Sequence, residues 1–346
     1  MLGLAIVGTG YWGKNLVRNF NGIKGASLEY LCDANVDTVG RLAGLYPGVA
    51  VETSFQRVLD NRNVDATVIA TPAATHFALA SQALEAGKHV FVEKPICLEP
   101  GEAFKLVRLA REKKRVLMVG HLLEYHPGVR WIKNHMDELG HIYYLYSQRL
   151  NLGIVRKDEN AWWSLAPHDI SVILYLLGAT PETVTARGAE YLRPGVADVV
   201  FATLRFGDGK MAHIHVSWLD PHKSRKFTLV GDRKMITFDD TEASEKIKVF
   251  DKGANLDPMD ANYGDHITLR SGDVYLPRID MTEPLKLECE HFVDCCLNDR
   301  TPMTDGMDGL RVVQVLAAAQ ESMRRGGEPI WLERFDPSDS GTRAQA

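Results

Sequence analysis

The sequence predicts an α/β Rossmann domain followed by an α+β domain with an open, mainly antiparallel sheet. The chain has 346 residues, which suits two domains at about 150 residues each. In its first third, short and wholly apolar runs alternate with helical patterns, as in a parallel sheet that helices cover on both faces. Beyond that part, longer strands alternate apolar and polar residues, which is typical of a sheet with one covered face.

The composition excludes several classes of protein. Hydrophobic residues make up 45% of the chain and charged residues 25%, which are ordinary values for a globular protein. The 40 Lys and Arg against 45 Asp and Glu leave a formal net charge of −5, so no nucleic-acid partner is expected. No apolar run approaches the roughly 18 residues of a membrane span, and no signal peptide pattern opens the chain. Five cysteines without a regular framework favour a reducing compartment, so we expect a cytoplasmic protein.

We assign residues 1–121 to the first domain. Continuous apolar runs such as Leu4 to Val7 predict strands that are buried on both faces. Apolar spacings of four and three, as in Leu79, Ala83 and Ala86, predict helices between them. The predicted strands span 4–7, 28–32, 49–51, 66–70, 89–92 and 116–119, and the predicted helices span 13–21, 35–45, 54–60, 75–86 and 101–113.

We assign residues 122–334 to the second domain. In one of its strands Ile214 and Val216 share one face, while His213 and His215 share the other. This alternation predicts an antiparallel sheet with one covered face. The predicted strands span 142–152, 183–190, 197–206, 210–219, 225–231 and 234–239, and the predicted helices span 126–139 and 168–177.

The last part of the chain is less regular. The segment 251–282 shows little periodicity, so we expect a long excursion. Helices are predicted near 284–297 and 306–325, and we leave open that they pack back on the first domain. Residues 335–346 are polar and predict a loose tail.

One motif predicts a dinucleotide site. It is the segment Gly8-Thr9-Gly10-Tyr11-Trp12-Gly13, which matches G-x-G-x-x-G, follows an apolar strand and precedes a helix. Gly8 allows the tight turn, Gly10 lets a pyrophosphate approach the backbone, and Gly13 lets the helix pack closely on the strand. Asp33 ends the next strand and would accept hydrogen bonds from the ribose hydroxyls. A carboxylate there repels a 2′-phosphate, so the sequence favours NAD over NADP.

A second motif, Glu93-Lys94-Pro95, ends the fifth predicted strand. Ligands bind outside the carboxyl ends of strands in open α/β sheets, so Lys94 would lie where nicotinamide and substrate meet. A lysine at such a site can exchange a proton with a substrate hydroxyl. Pro95 holds the residue before it in an extended conformation. The alternative is an ordinary surface lysine at a strand end.

These features resemble the Gfo/Idh/MocA oxidoreductases over nearly the whole chain, from Leu4 to about residue 330. The resemblance implies hydride transfer between a nicotinamide and a sugar-like carbinol carbon, with Lys94 as general acid and base and His168 as its partner. It also implies a homodimer or homotetramer formed through the open sheet face. The further residues that carry the resemblance, and that we expect at the cofactor, are Thr71, Pro72, His76 and Glu93.

The chain departs from the family pattern at one position. Members often carry an aspartate four residues before the histidine, where this chain has Ser164. A serine cannot hold the negative charge that would orient Lys94 or relay its proton. Either Lys94 works mainly with His168, or another carboxylate substitutes. Asp169 follows the histidine directly and would face another side of a helix, so we interpret it as stabilising the first helical turn.

A polar stretch before His168 suggests the substrate side. Arginines there suit phosphate or carboxylate, because the guanidinium fork can bind two oxygens. The whole segment resembles the subgroup that oxidises C3 of a UDP-linked N-acetylhexosamine. The alternative for these charges is a solvated loop. The predicted substrate residues are Arg149, Arg156, Asn160, Trp163 and His168, within a stretch that also holds Asn151, Asp158 and Trp162.

Three other interpretations stay open. First, the substrate could be a free polyol or sugar of the inositol or glucose type. Second, Trp218 with Lys223 and Arg225 could form a second patch for an anion or a base, or a subunit contact. Third, Ser164 favours a non-catalytic NAD-binding sensor or scaffold, whereas the presence of Lys94 and His168 argues against it. No metal site is predicted, because His213 and His215 share a strand face without further ligands nearby.

Overall fold

The computed structural model describes residues 1–156, 159–256 and 267–335. Their contacts divide them into two compact units. The first unit comprises Met1–Tyr125 and Thr282–Ala317, with Glu333 and the described residues that follow it. The second unit comprises His126–Met281 and Ala318–Leu332. The sequence boundary between 121 and 122 therefore lies close to the first division, while most of the C-terminal helical region belongs to the first unit. None of the described helices is both long and apolar enough for a membrane span.

The first unit is built on a parallel sheet of six strands in the order β3-β2-β1-β4-β5-β6. Strands β1, β4 and β6 are buried at every residue, which is why their sequences are continuous apolar runs. The strands are β1 (Leu2–Val7), β2 (Ala26–Cys32), β3 (Ala50–Glu52), β4 (Ala66–Ile69), β5 (His89–Glu93) and β6 (Leu117–Gly120). The helices are α1 (Gly13–Phe20), α2 (Val36–Ala43), α3 (Phe55–Asp60), α4 (His76–Glu85), α5 (Pro100–Lys113), α8 (Pro284–Leu297) and α9 (Gly306–Arg324), the last of which continues into the second unit.

The second unit is built on a sheet of nine strands in the order β14-β13-β12-β11-β7-β10-β9-β8-β15. Among the described strands of this sheet, β7 and β10 alone pair in parallel, so the mainly antiparallel sheet is confirmed. The strands are β7 (Ile142–Leu150), β8 (Thr183–Ala189), β9 (Val199–Arg205), β10 (Met211–Ser217), β11 (Ser224–Gly231), β12 (Met235–Asp239), β13 (Ile247–Leu256), β14 (Ile267–Tyr275) and β15 (Ile330–Trp331). Its helices are α6 (Pro127–Asn134) and α7 (Ala161–Leu177).

The structure corrects two predicted elements in this unit. Helix α7 begins at Ala161, seven residues before the predicted start at 168, and Pro167 lies inside it. The Asn160 side chain caps it by accepting a hydrogen bond from the Trp163 N–H at 3.1 Å. The predicted helix 126–139 is split, because a 3₁₀ turn follows α6 over Met136–Leu139.

Two parts of the predicted excursion 251–282 belong to the sheet. Residues 251–256 lie in β13 and 267–275 in β14, which pair as antiparallel strands, while 257–266 lie outside the described residues. Most described side chains of β14 are exposed, so this edge strand has no apolar alternation to reveal it. Backbone hydrogen bonds and an ion pair between Arg270 and Asp251 join it to β13. Of the predicted tail 335–346, only Phe335 lies within the described residues, and its ring packs 5.1 Å from that of Phe104.

An aromatic trio fixes the packing of α8 in the first unit. The rings of Phe20, Phe91 and Phe292 meet edge to face, with centroids 5.7 to 6.1 Å apart. All three side chains are buried. They bring together α1, β5 and α8.

Candidate active site

The glycine loop between β1 and α1 has the geometry of a dinucleotide site. Gly8 has a φ of +92°, and a Cβ there would lie 2.7 Å from the Ala70 backbone. A Cβ at Gly13 would collide with the Gly8 carbonyl oxygen. At Gly10 a Cβ would meet no atom within 4 Å. The fold therefore requires Gly8 and Gly13, whereas Gly10 leaves open space at the start of α1, where a pyrophosphate would approach.

Asp33 lies beside this loop at the end of β2. Its Oδ2 accepts hydrogen bonds from the Thr9 N–H at 2.7 Å and from the Thr9 hydroxyl at 3.0 Å. Its Oδ1 accepts one from the Asn35 N–H at 2.9 Å. These bonds hold the carboxylate at the edge of the loop, where the predicted bonds to ribose hydroxyls need it.

His76 joins the loops that follow β4 and β5. Its Nδ1 lies 2.7 Å from the Pro95 carbonyl oxygen, and its Nε2 lies 2.8 Å from that of Thr71. The side chain is buried, and burial lowers the pKa of its ring. Both ring nitrogens contact backbone carbonyl oxygens, so His76 holds Thr71 and Pro95 in place. Its own contact with a cofactor stays a prediction.

Glu93 links the glycine loop to Lys94. Its Oε1 accepts a hydrogen bond from the Trp12 Nε1–H at 2.5 Å, and its Oε2 accepts one from the Lys94 backbone N–H at 3.3 Å. Burial raises the pKa of the Glu93 carboxyl to about 7, although the Trp12 bond and the Lys94 charge oppose the rise. Tyr11, in the same glycine motif, is exposed. Lys94 itself is half-buried at the end of β5.

Sequence reasoning missed a set of buried polar side chains in the first unit. Burial lowers the pKa of His121 to about 4 and raises the pKa values of Glu124 and Glu288 well above their usual range. Asp308 is also buried. The sequence held one signal, because Glu288 interrupts the apolar face of α8 that Leu285 and Phe292 define.

In the second unit, Ser164 and His168 lie one turn apart on α7. The serine is buried and the histidine is half-buried. Residues four apart share a helix face, so Ser164 and His168 lie on the same side of α7.

The assignment of Asp169 to a first helical turn is wrong. It is the ninth residue of α7, fully buried, and its Oδ2 accepts a hydrogen bond from the Arg149 Nε–H at 2.5 Å. Burial raises the pKa of Asp169, and the Arg149 guanidinium opposes the rise. The Asp169 carboxylate is therefore committed to an ion pair with β7.

The other predicted substrate residues have varied surroundings. Asn160 caps α7 with its oxygen and donates from its amide to Gln320 at 2.8 Å. Trp163 is half-buried, and Arg156 is exposed and pairs with Glu159 at 3.0 Å. Asp158 lies outside the described residues.

The second suggested patch is not a stacking surface. The Trp218 side chain is buried, and its Nε1–H donates to Asp198 at 2.5 Å. Its indole is therefore part of the core rather than a platform for a base.

Comparison with known families agrees with this geometry. Residues 2–121 match the oxidoreductase family with an NAD-binding Rossmann fold, and residues 143–237 match the Gfo/Idh/MocA C-terminal domain. The chain belongs to the Gfo/Idh/MocA family, and it is an NAD-binding oxidoreductase.

Three relatives span nearly its whole length. UDP-N-acetylglucosamine 3-dehydrogenase of Acidithiobacillus ferrooxidans is 26% identical over 92% of this chain and 98% of its own, and its solved structure superposes with a TM-score of 0.78 over 94% and 99% of the two chains. The scyllo-inositol 2-dehydrogenase (NAD⁺) of Bacillus subtilis is 25% identical over 96% and 95%. GenD2 from gentamicin A biosynthesis, solved with NAD, is 23% identical with a TM-score of 0.80 over 96% and 97%, and shows the same fold.

Proposed function

We propose that the protein oxidises C3 of a UDP-linked N-acetylhexosamine, with Lys94 as the general base. Bound NAD supplies the hydride acceptor. The C3–H bond breaks, its electron pair leaves with the hydrogen as hydride, and the hydroxyl proton passes to the uncharged Lys94 amine. The product is a 3-keto sugar, and the same groups serve the reverse reduction.

The observation that carries this proposal is the bond network around Glu93. The Glu93 carboxylate accepts a hydrogen bond from the Lys94 backbone N–H at 3.3 Å and one from the Trp12 indole N–H at 2.5 Å. It therefore joins the segment that begins at Lys94 to the glycine motif. His76 adds a second tie, from the loop after β4 to Pro95. A lysine held in this way at the carboxyl end of β5 keeps a defined position relative to the dinucleotide loop.

His168 is proposed as a second group in the same proton transfer. The support is the family resemblance, the half-buried ring on α7 and the capacity of an imidazole to exchange protons near neutral pH. Ser164 cannot contribute charge, and Asp169 is paired with Arg149. We therefore propose that Lys94 and His168 share the acid and base work without the family's usual aspartate.

The nucleotide sugar is favoured over other substrates by the full-length relative that acts on UDP-N-acetylglucosamine. The predicted substrate contact of Arg149 adds no support, because its buried guanidinium is paired with Asp169. A free inositol is the second candidate, since an inositol dehydrogenase is 25% identical over a similar share of the chain.

The substrate class is tested with a thermal-shift panel in the presence of NAD. A ligand at about 100 times its Kd adds roughly 2.7 kcal/mol to the free energy of unfolding. We expect UDP-N-acetylhexosamines to raise the melting temperature and scyllo-inositol to leave it unchanged. A rise with scyllo-inositol and none with the UDP-sugars would instead identify a free polyol as the substrate.

The catalytic assignment is tested with Lys94→Met, which keeps much of the apolar stem but lacks the ammonium. We expect NAD binding to persist and turnover to fall by roughly 10²- to 10⁴-fold, as for a lost general base. Lys105→Met, at an exposed position of α5, is the matched control. His168→Asn should also reduce turnover, and the double variant should lose less than the two single losses combined.

Two outcomes would overturn the catalytic proposal. Turnover of Lys94→Met within about threefold of the wild type would make Lys94 a structural residue. Failure of the wild-type protein to reduce NAD with any UDP-sugar, inositol or aldose would favour the sensor or scaffold interpretation.

We also propose that the protein is a cytoplasmic homodimer or homotetramer. All five cysteines are buried free thiols, which suits a reducing compartment. The outer face of the second sheet exposes Tyr144, Tyr146 and Phe201 by 41%, 36% and 45%. Neighbouring aromatic side chains on an open sheet face favour association between copies of the chain.

A further inference from the structure

Glu288 presents an unexplained buried acid. It lies on α8 in the first unit with 0% of its surface exposed. Within the described part of the chain, no N–H or hydroxyl group donates a hydrogen bond to either of its carboxyl oxygens. An ionised carboxylate in such surroundings is costly, so the group needs either a proton or a partner that completes its bonding.

The packing of α8 puts Glu288 on the same side of the sheet as Glu93. Phe292, one helical turn after Glu288, contacts Phe91 with ring centroids 5.7 Å apart. Glu288 and Phe292 share a face of α8 because they are four residues apart. Phe91 and Glu93 share a face of β5 because alternate strand residues do.

The direction of α8 places the Glu288 and Glu93 carboxyl groups near the same end of the strands. Leu297 ends the helix and lies near Gly25, at the start of β2, where a Cβ would be 3.2 Å from the leucine Cδ1. The helix therefore runs from the carboxyl ends of the strands toward their amino ends. Glu288 lies more than two turns before Leu297, toward the end of β5 where Glu93 is.

Charged and titratable groups around the two acids come from several elements. Glu93 faces Trp12 from the glycine loop and the adjacent Lys94. Glu288 interacts electrostatically with Glu93, with Glu124 from the 3₁₀ turn after β6, and with Cys289 on its own helix. Burial raises the pKa values of both Glu93 and Glu288, and the Glu93 charge raises that of Glu288 further, so ionising both side chains together is costly.

We propose that Glu288 is a positioning residue that carries a proton and donates it in a hydrogen bond to the Glu93 carboxylate. Glu93 has two other donors, the Trp12 indole and the Lys94 backbone N–H. A third donor stabilises its ionised form, which is the form that accepts both bonds. Glu288 thereby holds the segment that begins at Lys94 against the glycine loop, and its effect on turnover rests on the proposed role of Lys94.

The first test follows the indole N–H resonance of Trp12 by nuclear magnetic resonance in the protein without cofactor. Trp12→Phe assigns the signal. We expect it to titrate with a midpoint near the pKa of about 7 that burial gives Glu93. Glu288→Met fills a similar volume without a donor and should raise this midpoint by about one pH unit, since a charged hydrogen bond is lost.

The conservative variant Glu288→Gln keeps an N–H donor and should retain the wild-type midpoint. Glu290→Gln, at an exposed position of the same helix, is the matched control. An unchanged midpoint in Glu288→Met would overturn the inference. So would a shift in Glu288→Gln equal to that in Glu288→Met, because the wild-type group would then be ionised or merely packed.

The second test uses turnover. We expect Glu288→Met to lower kcat/KM by about tenfold and to move the acid limb of its pH profile, while Glu288→Gln rescues both. Loss of turnover in Glu288→Gln as large as in Glu288→Met would contradict the positioning role. The Trp12 titration needs no substrate, so it decides the inference even if the proposed reaction proves wrong.

Discussion

The two sheets of this protein differ in what covers them. In the first unit β1, β4 and β6 are buried at every residue. In the second unit the strands alternate, so that Ile214 is fully buried while His213 beside it is half-exposed. A sheet covered on both faces can offer chemistry only at its strand ends, where Lys94 lies. A sheet with an open face can offer that face to another molecule.

On the inner face of the second sheet, we expect the largest loss of stability from breaking the ion pair between Arg149 and Asp169. Asp169→Leu would leave a buried guanidinium without its partner and should destabilise the protein by about 3–5 kcal/mol. Urea unfolding measures the loss. Combining this change with Arg149→Met should recover most of it, because no uncompensated charge remains. A single variant as stable as the wild type would show that the pair is not structural.

Neighbouring residues of β10 should distinguish the two faces of that sheet. Ile214→Ala removes a fully buried side chain and should cost about 2–5 kcal/mol. His213→Ala, on the other face, should change the free energy of unfolding by no more than about 0.5 kcal/mol. Chemical denaturation of both variants provides the comparison. Equal losses would mean that both faces are packed.

The buried acids of the first unit should make its stability depend on pH. Burial raises the pKa of Glu93 from 4.5 to about 7, so the folded protein holds a proton that the unfolded chain releases between these values. The contribution of Glu93 to stability should therefore fall by on the order of 3 kcal/mol as pH rises through this window, against the opposite contribution of His121, whose pKa burial lowers to about 4.

The check is urea unfolding at about pH 5 and about pH 8 for the wild type and for Glu93→Gln. The variant should lose this contribution and respond less to pH. A wild-type protein that gains stability across the same window would show that other groups dominate.

The open face should matter for association and little for folding. Replacing Tyr146 and Phe201 by serine should change the free energy of unfolding by no more than about 0.5 kcal/mol each. Both changes should weaken self-association, which analytical ultracentrifugation at micromolar concentration measures. A monomeric wild-type protein over that range would refute the oligomer and leave the open face without a partner.

Local sequence signals determined much of the first unit and the position of its site. Continuous apolar runs reveal a parallel sheet because such strands are buried on both faces, and the glycine motif marks the turn before α1 because its Gly8 and Gly13 have no room for a side chain. Lys94 could be placed at a strand end from the same reasoning. The strand alternation likewise revealed most of the second sheet.

Only the tertiary structure decided which side chains meet. Sequence reasoning could not pair Arg149 with Asp169, because the start of α7 was misplaced beyond Pro167. It missed β14 because the exposed side chains of this edge strand carry no apolar pattern. It also missed β13, although Ile247 and Val249 alternate with less buried neighbours. It also could not bring Glu288 near Glu93, because these residues lie far apart in the chain. Their proximity comes from the packing of α8 on the first sheet, and a local pattern records only the faces of each element, not the partner across the core.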